Sequence, residues 1–183
     1  GLRLQADNPY FRFHLGDAYD RLGESELAMT EWSKAAEGAR IWPVPLGRLV
    51  QTVMLAGRGD ILKSLLPRLE ELSGGDPRTL AIIAAGQARL ADRDSDESIK
   101  AVLPYVDRVL AARPGDPIAL QLKLAIIAKT QSTDAARAWV ASLAGGTPAL
   151  PTTAYLALAR AAEGETLGIE EAIYKQAAIS RPP

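Results

Sequence analysis

The sequence predicts an all-α protein: about five helix–turn–helix units following one another along the chain. Three features lead there. Prolines recur at a fixed interval, with 34 residues from Pro9 to Pro43, 34 from Pro43 to Pro77 and 34 from Pro117 to Pro151; the step from Pro77 to Pro117 is 40. Between the prolines, apolar residues return every three or four positions, the period of one helix face. One stretch also matches another: Leu62-Lys63-Ser64-Leu65-Leu66-Pro67 aligns with Ile99-Lys100-Ala101-Val102-Leu103-Pro104, and Leu69 and Leu72 then align with Val106 and Val109.

The first unit, about 9–42, is the clearest. Proline is favourable at a helix start, where its missing N–H would be unpaired anyway. Asn8 is placed to cap that helix. Gly23 with Glu24-Ser25 ends it and begins the next. Leu15-Gly16, Tyr19, Ala28, Trp32 and Ala35 alternate large and small residues, as two interlocking helices require. Before it, residues 1–8 read as the tail of a preceding unit, so the chain is expected to be part of a longer array.

The second unit, about 43–76, places Leu46, Leu49, Val50 and Val53 on one helix face, turns at Gly57-Arg58-Gly59-Asp60 and stops at Gly74-Gly75. The third, about 77–116, opens with an Ala- and Gly-rich helix and continues through the acidic turn DRDSDES. A proline inside a helix removes one backbone hydrogen bond and clashes with the carbonyl four residues back. Kinks are therefore expected at Pro67 and Pro104. The fourth unit, about 117–150, has a turn near Ser132, a cap at Thr133 or Asp134, and Trp139 in the core role of Trp32. The fifth, about 151–183, ends on Pro182-Pro183.

Composition narrows the function. The 183 residues are 48% hydrophobic with a net charge of −1, enough apolar matter for a core and no basic excess of the kind a general nucleic-acid binder needs. Absence of cysteine excludes disulfides and thiol chemistry. No apolar run approaches a membrane span, and the segment carries no signal peptide, which leaves cytoplasm and periplasm both open. The abundance of Arg, Ala, Leu and Gly reads as bacterial. Gly57 and Gly59 are not a phosphate loop, because no Gly-Lys-Ser/Thr follows. The acidic turn lacks the glycine and closing glutamate of a calcium loop. His14 is the sole histidine, the serines lie in turns or on helix surfaces, and no carboxylate pair stands out. The chain is therefore read as non-catalytic, without metal or cofactor.

The residues Leu15-Gly16, Tyr19, Gly23, Ala28, Trp32 and Ala35, with the 34-residue spacing and the Glu171-Ala172-Ile173-Tyr174-Lys175-Gln176-Ala177 segment, resemble the tetratricopeptide repeat. The resemblance covers nearly the whole chain and is most specific in the first and fifth units. It implies a right-handed superhelical solenoid of antiparallel hairpins, one continuous domain, whose first helices line a concave groove for a peptide or a partner helix. In that register the groove would be lined by Tyr10, His14, Asp17 and Arg21; by Arg48, Gln51 and Met54; by Arg78, Ile82, Ala85 and Arg89; by Gln121, Leu122, Ala125 and Lys129; and by Tyr155 and Ala159. The branch of the family that grips a carboxylate terminus needs Lys and Asn where this chain has Phe13 and Asp17, so tail binding of that kind is not expected. The function implied is protein–protein interaction or assembly. The competing expectation is a structural spacer in a larger protein of an envelope, secretion or export machine, its trough filled by flanking repeats or by a second copy.

Overall fold

The computed structural model describes residues 7–39, 41–144 and 150–179. The expected tail at 1–6 and the closing Pro182-Pro183 lie outside them. Every regular element among the described residues is a helix: α1 (Pro9–Arg21), α2 (Ser25–Gly38), α3 (Val44–Leu55), α4 (Gly59–Ser73), α5 (Pro77–Leu90), α6 (Asp96–Lys100), α7 (Leu103–Ala112), α8 (Pro117–Thr130), α9 (Thr133–Ala144), α10 (Thr152–Gly164) and α11 (Glu170–Ile179). The chain divides into two compact units at Leu90/Ala91, inside the expected third repeat.

The recurrent prolines mark helix starts. Pro9, Pro77 and Pro117 are the first residues of α1, α5 and α8, while Pro43 and Pro151 occupy the caps just before α3 and α10. Acidic and amide side chains hold the free N–H groups of several of these ends. Asn8 Oδ1 accepts from Tyr10 N at 2.9 Å. Asp76 Oδ2 accepts from both the backbone N and the Oγ1 of Thr79 at 2.8 Å. Asp116 Oδ1 accepts from Ile118 N and Ala119 N at 3.1 Å. α9 is capped by neither Thr133 nor Asp134 but by the residue before them: Ser132 Oγ accepts from Ala135 N at 3.0 Å. Asp134 instead pairs with Arg137 at 2.9 Å.

Three helices end in the same way. After α1, Gly23 N donates to Asp20 O at 3.0 Å and Glu24 N to Tyr19 O at 2.9 Å; after α3, Gly57 N donates to Met54 O and Arg58 N to Val53 O, both at 3.1 Å. After α10, Thr166 N donates to Glu163 O at 3.2 Å and Leu167 N to Ala162 O at 3.0 Å. This paired closure requires a left-handed residue at its centre. Gly23 (φ +79°), Gly57 (φ +69°) and Thr166 (φ +55°) supply it.

In the first unit α1 packs on α2, α2 on α3, α3 on α4, α4 on α5, and α3 also on α5. Glycines set the closest approaches. Gly16 of α1 lies under the Trp32 ring, and Gly86 of α5 lies under Leu66 of α4. Trp32, Leu46, Val50, Leu62, Leu66 and Ile83 are essentially excluded from water, each such burial contributing about 1.5–3 kcal/mol. Two side chains join non-consecutive helices: Arg68 donates to Ala36 O at 2.7 Å, and Arg58 meets Glu26 at 3.2 Å.

In the second unit α8 is central, packed against α6, α7, α9 and α10, with α11 on α10. Its core is centred on Leu120, Leu124, Tyr155, Leu158, Leu167 and Ile173. Trp139 is only partly buried against this core, with Lys123 Nζ 5.9 Å above its ring, so it is less enclosed than Trp32.

The two internal prolines behave differently. Pro67 lies within the continuous helix α4. At Pro104 the helix divides: Val102 N bonds back to Ile99 O at 3.2 Å, a tightened turn, and α7 restarts with Pro104 in its first turn. In the aligned register two of the four buried positions coincide, Leu62 with Ile99 and Leu69 with Val106, and the other two shift by one. α4 buries Leu62, Leu66, Leu69 and Ser73, whereas α6 and α7 with their junction bury Ile99, Val102, Val106 and Val109.

Candidate functional site

Two open grooves and a pocket stand out on the described surface, each within one of the two units. The groove that includes expected positions lies between α8 and α10. α8 turns Ala119, Leu120, Leu124 and Ile127 inward, which leaves Ile118, Gln121, Leu122 and Ala125 along its other side. These four face Arg160, Ala161, Gly164 and Glu165 of α10 and its end across an open space of about 390 Å³. Gln121 Nε2 donates to Ala157 O at 3.2 Å, which fixes the spacing of the two helices. The floor is apolar, Ile118 is 40% exposed, and a cation and an anion stand together at the α10 side.

The second groove, about 550 Å³, runs between α2, α3 and α4. Met29, Leu49, Val53, Ile61 and Leu65 form its apolar part, and the Glu26–Arg58 ion pair crosses it. None of the expected groove residues lines it. The sequence did hold a signal: Ile61 and Leu65 each precede a core leucine, giving α4 an apolar stripe wider than one buried face.

The expected positions scatter. Tyr10 (63% exposed), His14, Arg21, Arg48, Arg78, Arg89 and Lys129 are exposed, while Gln51, Met54, Ile82 and Ala85 are half-buried. Ile82 is occupied in packing beside Gly47. Tyr10 and His14 do meet, ring centroids 4.3 Å apart, in a cluster with Phe13 and Trp42. Asp17 has a structural duty as well: its Oδ1 accepts from the buried Trp32 Nε1 at 3.2 Å, and its Oδ2 stands 3.9 Å from His14 Nδ1. Tyr155 and Ala159 are corrected outright: they are 4% and 0% exposed, in the core of the second unit.

Two carboxylates are buried among the described residues: Asp116, which caps α8, and Glu31 of α2. Glu31, 7% exposed, accepts from Arg12 at 2.8 Å and from Lys34 at 2.7 Å. Burial pushes its carboxyl up, but hydrogen bonds from Lys34 and Arg12 outweigh that and hold it below the usual glutamate range. Arg12 is correspondingly raised, chiefly by Glu31 and then by Asp7. This triad ties α1 to α2, and its Lys34 borders the second groove. Among the described residues no group of three His, Asp or Glu side chains is placed to hold a metal ion, and no helix is long and apolar enough to cross a membrane.

Neither a protein-family model nor a curated protein sequence matches this chain.

Proposed function

We propose that the chain is a non-catalytic interaction module of the tetratricopeptide-repeat kind, a solenoid of five hairpins that binds a segment of a partner protein. The observation that carries the reading is the α8–α10 groove. Gln121, Leu122 and Ala125, expected as groove residues from the 34-residue register, stand along one wall, with Arg160 and Glu165 on the other. An apolar floor with a few polar groups at its edge suits an amphipathic helix or an extended segment, whose apolar side chains fill the trough while a carboxylate meets Arg160. The three repeated helix closures and the proline-marked helix starts support the repeat part of the reading.

The test is selection from a displayed library of random peptides against the whole chain, with the Leu122→Glu, Arg160→Glu double variant as counter-target. Both positions are on the surface of the groove, so the variant is expected to melt within a few degrees of the parent. Enrichment of peptides that pair apolar residues with an acidic one, and that lose binding to the variant, supports the reading. Equal binding to both proteins, or no enrichment at all, would sink it.

A further inference from the structure

The pocket on the second unit lies apart from the groove and has a different character. It is a recess of about 250 Å³ between α9, α10 and α11, walled by Val140, Ala141, Ile169, Ala172 and Ile173. Its volume is smaller than the several hundred Å³ of a drug-sized ligand site. Three side chains with hydrogen-bonding groups line it: Arg137, Tyr155 and Gln176, of which Arg137 carries the positive charge. Tyr155 is 4% exposed and borders the recess, and no buried side-chain oxygen or nitrogen among the described residues lacks a partner. Arg137 is pinned at the rim: its Nε donates to the carbonyl of Leu167 at 2.7 Å, and Leu167 itself is fully buried. Its Nη1 also meets Asp134 at 2.9 Å, but Asp134 is 87% exposed, and such a surface pair is weak and easily exchanged.

We propose that this pocket binds a small monocarboxylic acid with a compact apolar body, a branched-chain or arylacetic acid. The body sits against Val140, Ile169 and Ile173. The carboxylate takes the Arg137 guanidinium, already oriented by Leu167, and accepts from the Tyr155 hydroxyl. A cation of the same shape is repelled by the Arg137 guanidinium, and an alcohol makes only the weaker neutral bond.

Amide spectra of the whole chain, titrated with isovalerate, phenylacetate, isopentylamine and isopentanol, test it. Saturable shifts centred on residues 137–141 and 169–176 are expected with the acids, and none of comparable affinity with the amine or the alcohol. Tyr155→Phe should weaken the acids about fivefold and Arg137→Gln at least about tenfold. Because Arg137 also holds the turn at Leu167, Ala172→Phe provides a variant that fills the pocket from an exposed position; it should abolish binding with the fold intact. The groove variant Leu122→Glu, Arg160→Glu should bind the acids normally, which separates this pocket from the peptide site. No saturable shift with either acid, amine or alcohol binding as tight as acid, or undiminished binding by Ala172→Phe would overturn the proposal.

Discussion

The Trp32 indole occupies the place where a β-carbon on Gly16 would have to be: that atom would lie 2.6 Å from both Cδ1 and Nε1 of the ring. The ring cannot retreat, being 1% exposed and tethered to Asp17 through its N–H. Alanine normally stabilises a helix over glycine by about 1 kcal/mol. Here the clash reverses the sign, and Gly16→Ala is expected to cost about 1–3 kcal/mol in urea unfolding. Gly59→Ala is the control, since its β-carbon would meet Leu90 at an ordinary 3.9 Å; it should be neutral or gain up to about 1 kcal/mol. Similar values for the two variants would show that the Gly16–Trp32 contact does not set the α1–α2 distance.

Thr166 holds the left-handed position that glycine holds at Gly23 and Gly57. That conformation costs a side-chain-bearing residue roughly 1–2 kcal/mol. Thr166→Gly is expected to raise stability by about 0.5–1 kcal/mol, part of the relief being lost to the freer unfolded chain. Gly23→Ala and Gly57→Ala should each lower it by about 1 kcal/mol, through the backbone alone, because nothing lies within 4 Å of either added carbon. Thermal melts of the three variants decide the matter; a loss at Thr166→Gly would contradict it.

Helix starts and ends were legible because they depend on local chemistry. Proline, Asn8 and Gly23 act on the backbone beside them. The groove was less legible because it depends on helix rotation. In α10 the run Ala154-Tyr155-Leu156-Ala157-Leu158-Ala159 is apolar on every side, so its sequence does not say which face turns inward. Tyr155 and Ala159 went into the core, while Leu156 and Arg160 one position later are exposed. The structural duty of Asp17 was hidden for a related reason: its partner, Trp32 Nε1, becomes a neighbour only when α1 and α2 pack. Nor does any local signal distinguish Pro67, carried inside α4, from Pro104, where the helix restarts.

That difference has an energetic consequence. Pro67 is exposed on a continuous helix, where proline is roughly 3 kcal/mol worse than alanine before the unfolded chain is considered. Pro104 is in the first turn of α7, where proline costs little. Pro67→Ala is therefore expected to stabilise the protein by about 1–3 kcal/mol, and Pro104→Ala to change it by less than about 1 kcal/mol. Equal effects would mean that α4 relieves its proline as fully as the broken helix does.

Glu31 gives the fold an acid-sensitive element. Its carboxyl is held below the ordinary value of 4.5, although burial alone would raise it, because Lys34 and Arg12 donate to the charged form. A carboxyl depressed in the folded state contributes stability that is complete above its unfolded value and disappears as pH falls through its folded one. The loss should therefore begin near pH 4.5 and proceed below it. Glu31→Gln removes the charge but keeps the shape, and should cost about 1–3 kcal/mol at neutral pH. Asp76, partly desolvated but also held low by bonds from Thr79, contributes to the acid slope of both proteins and cancels in the comparison. Urea unfolding of parent and variant across acid pH should show a gap that is constant near neutrality and narrows below pH 4.5. A gap independent of pH would mean that Arg12 and Lys34 hold the Glu31 side chain by geometry alone, with no share for its charge.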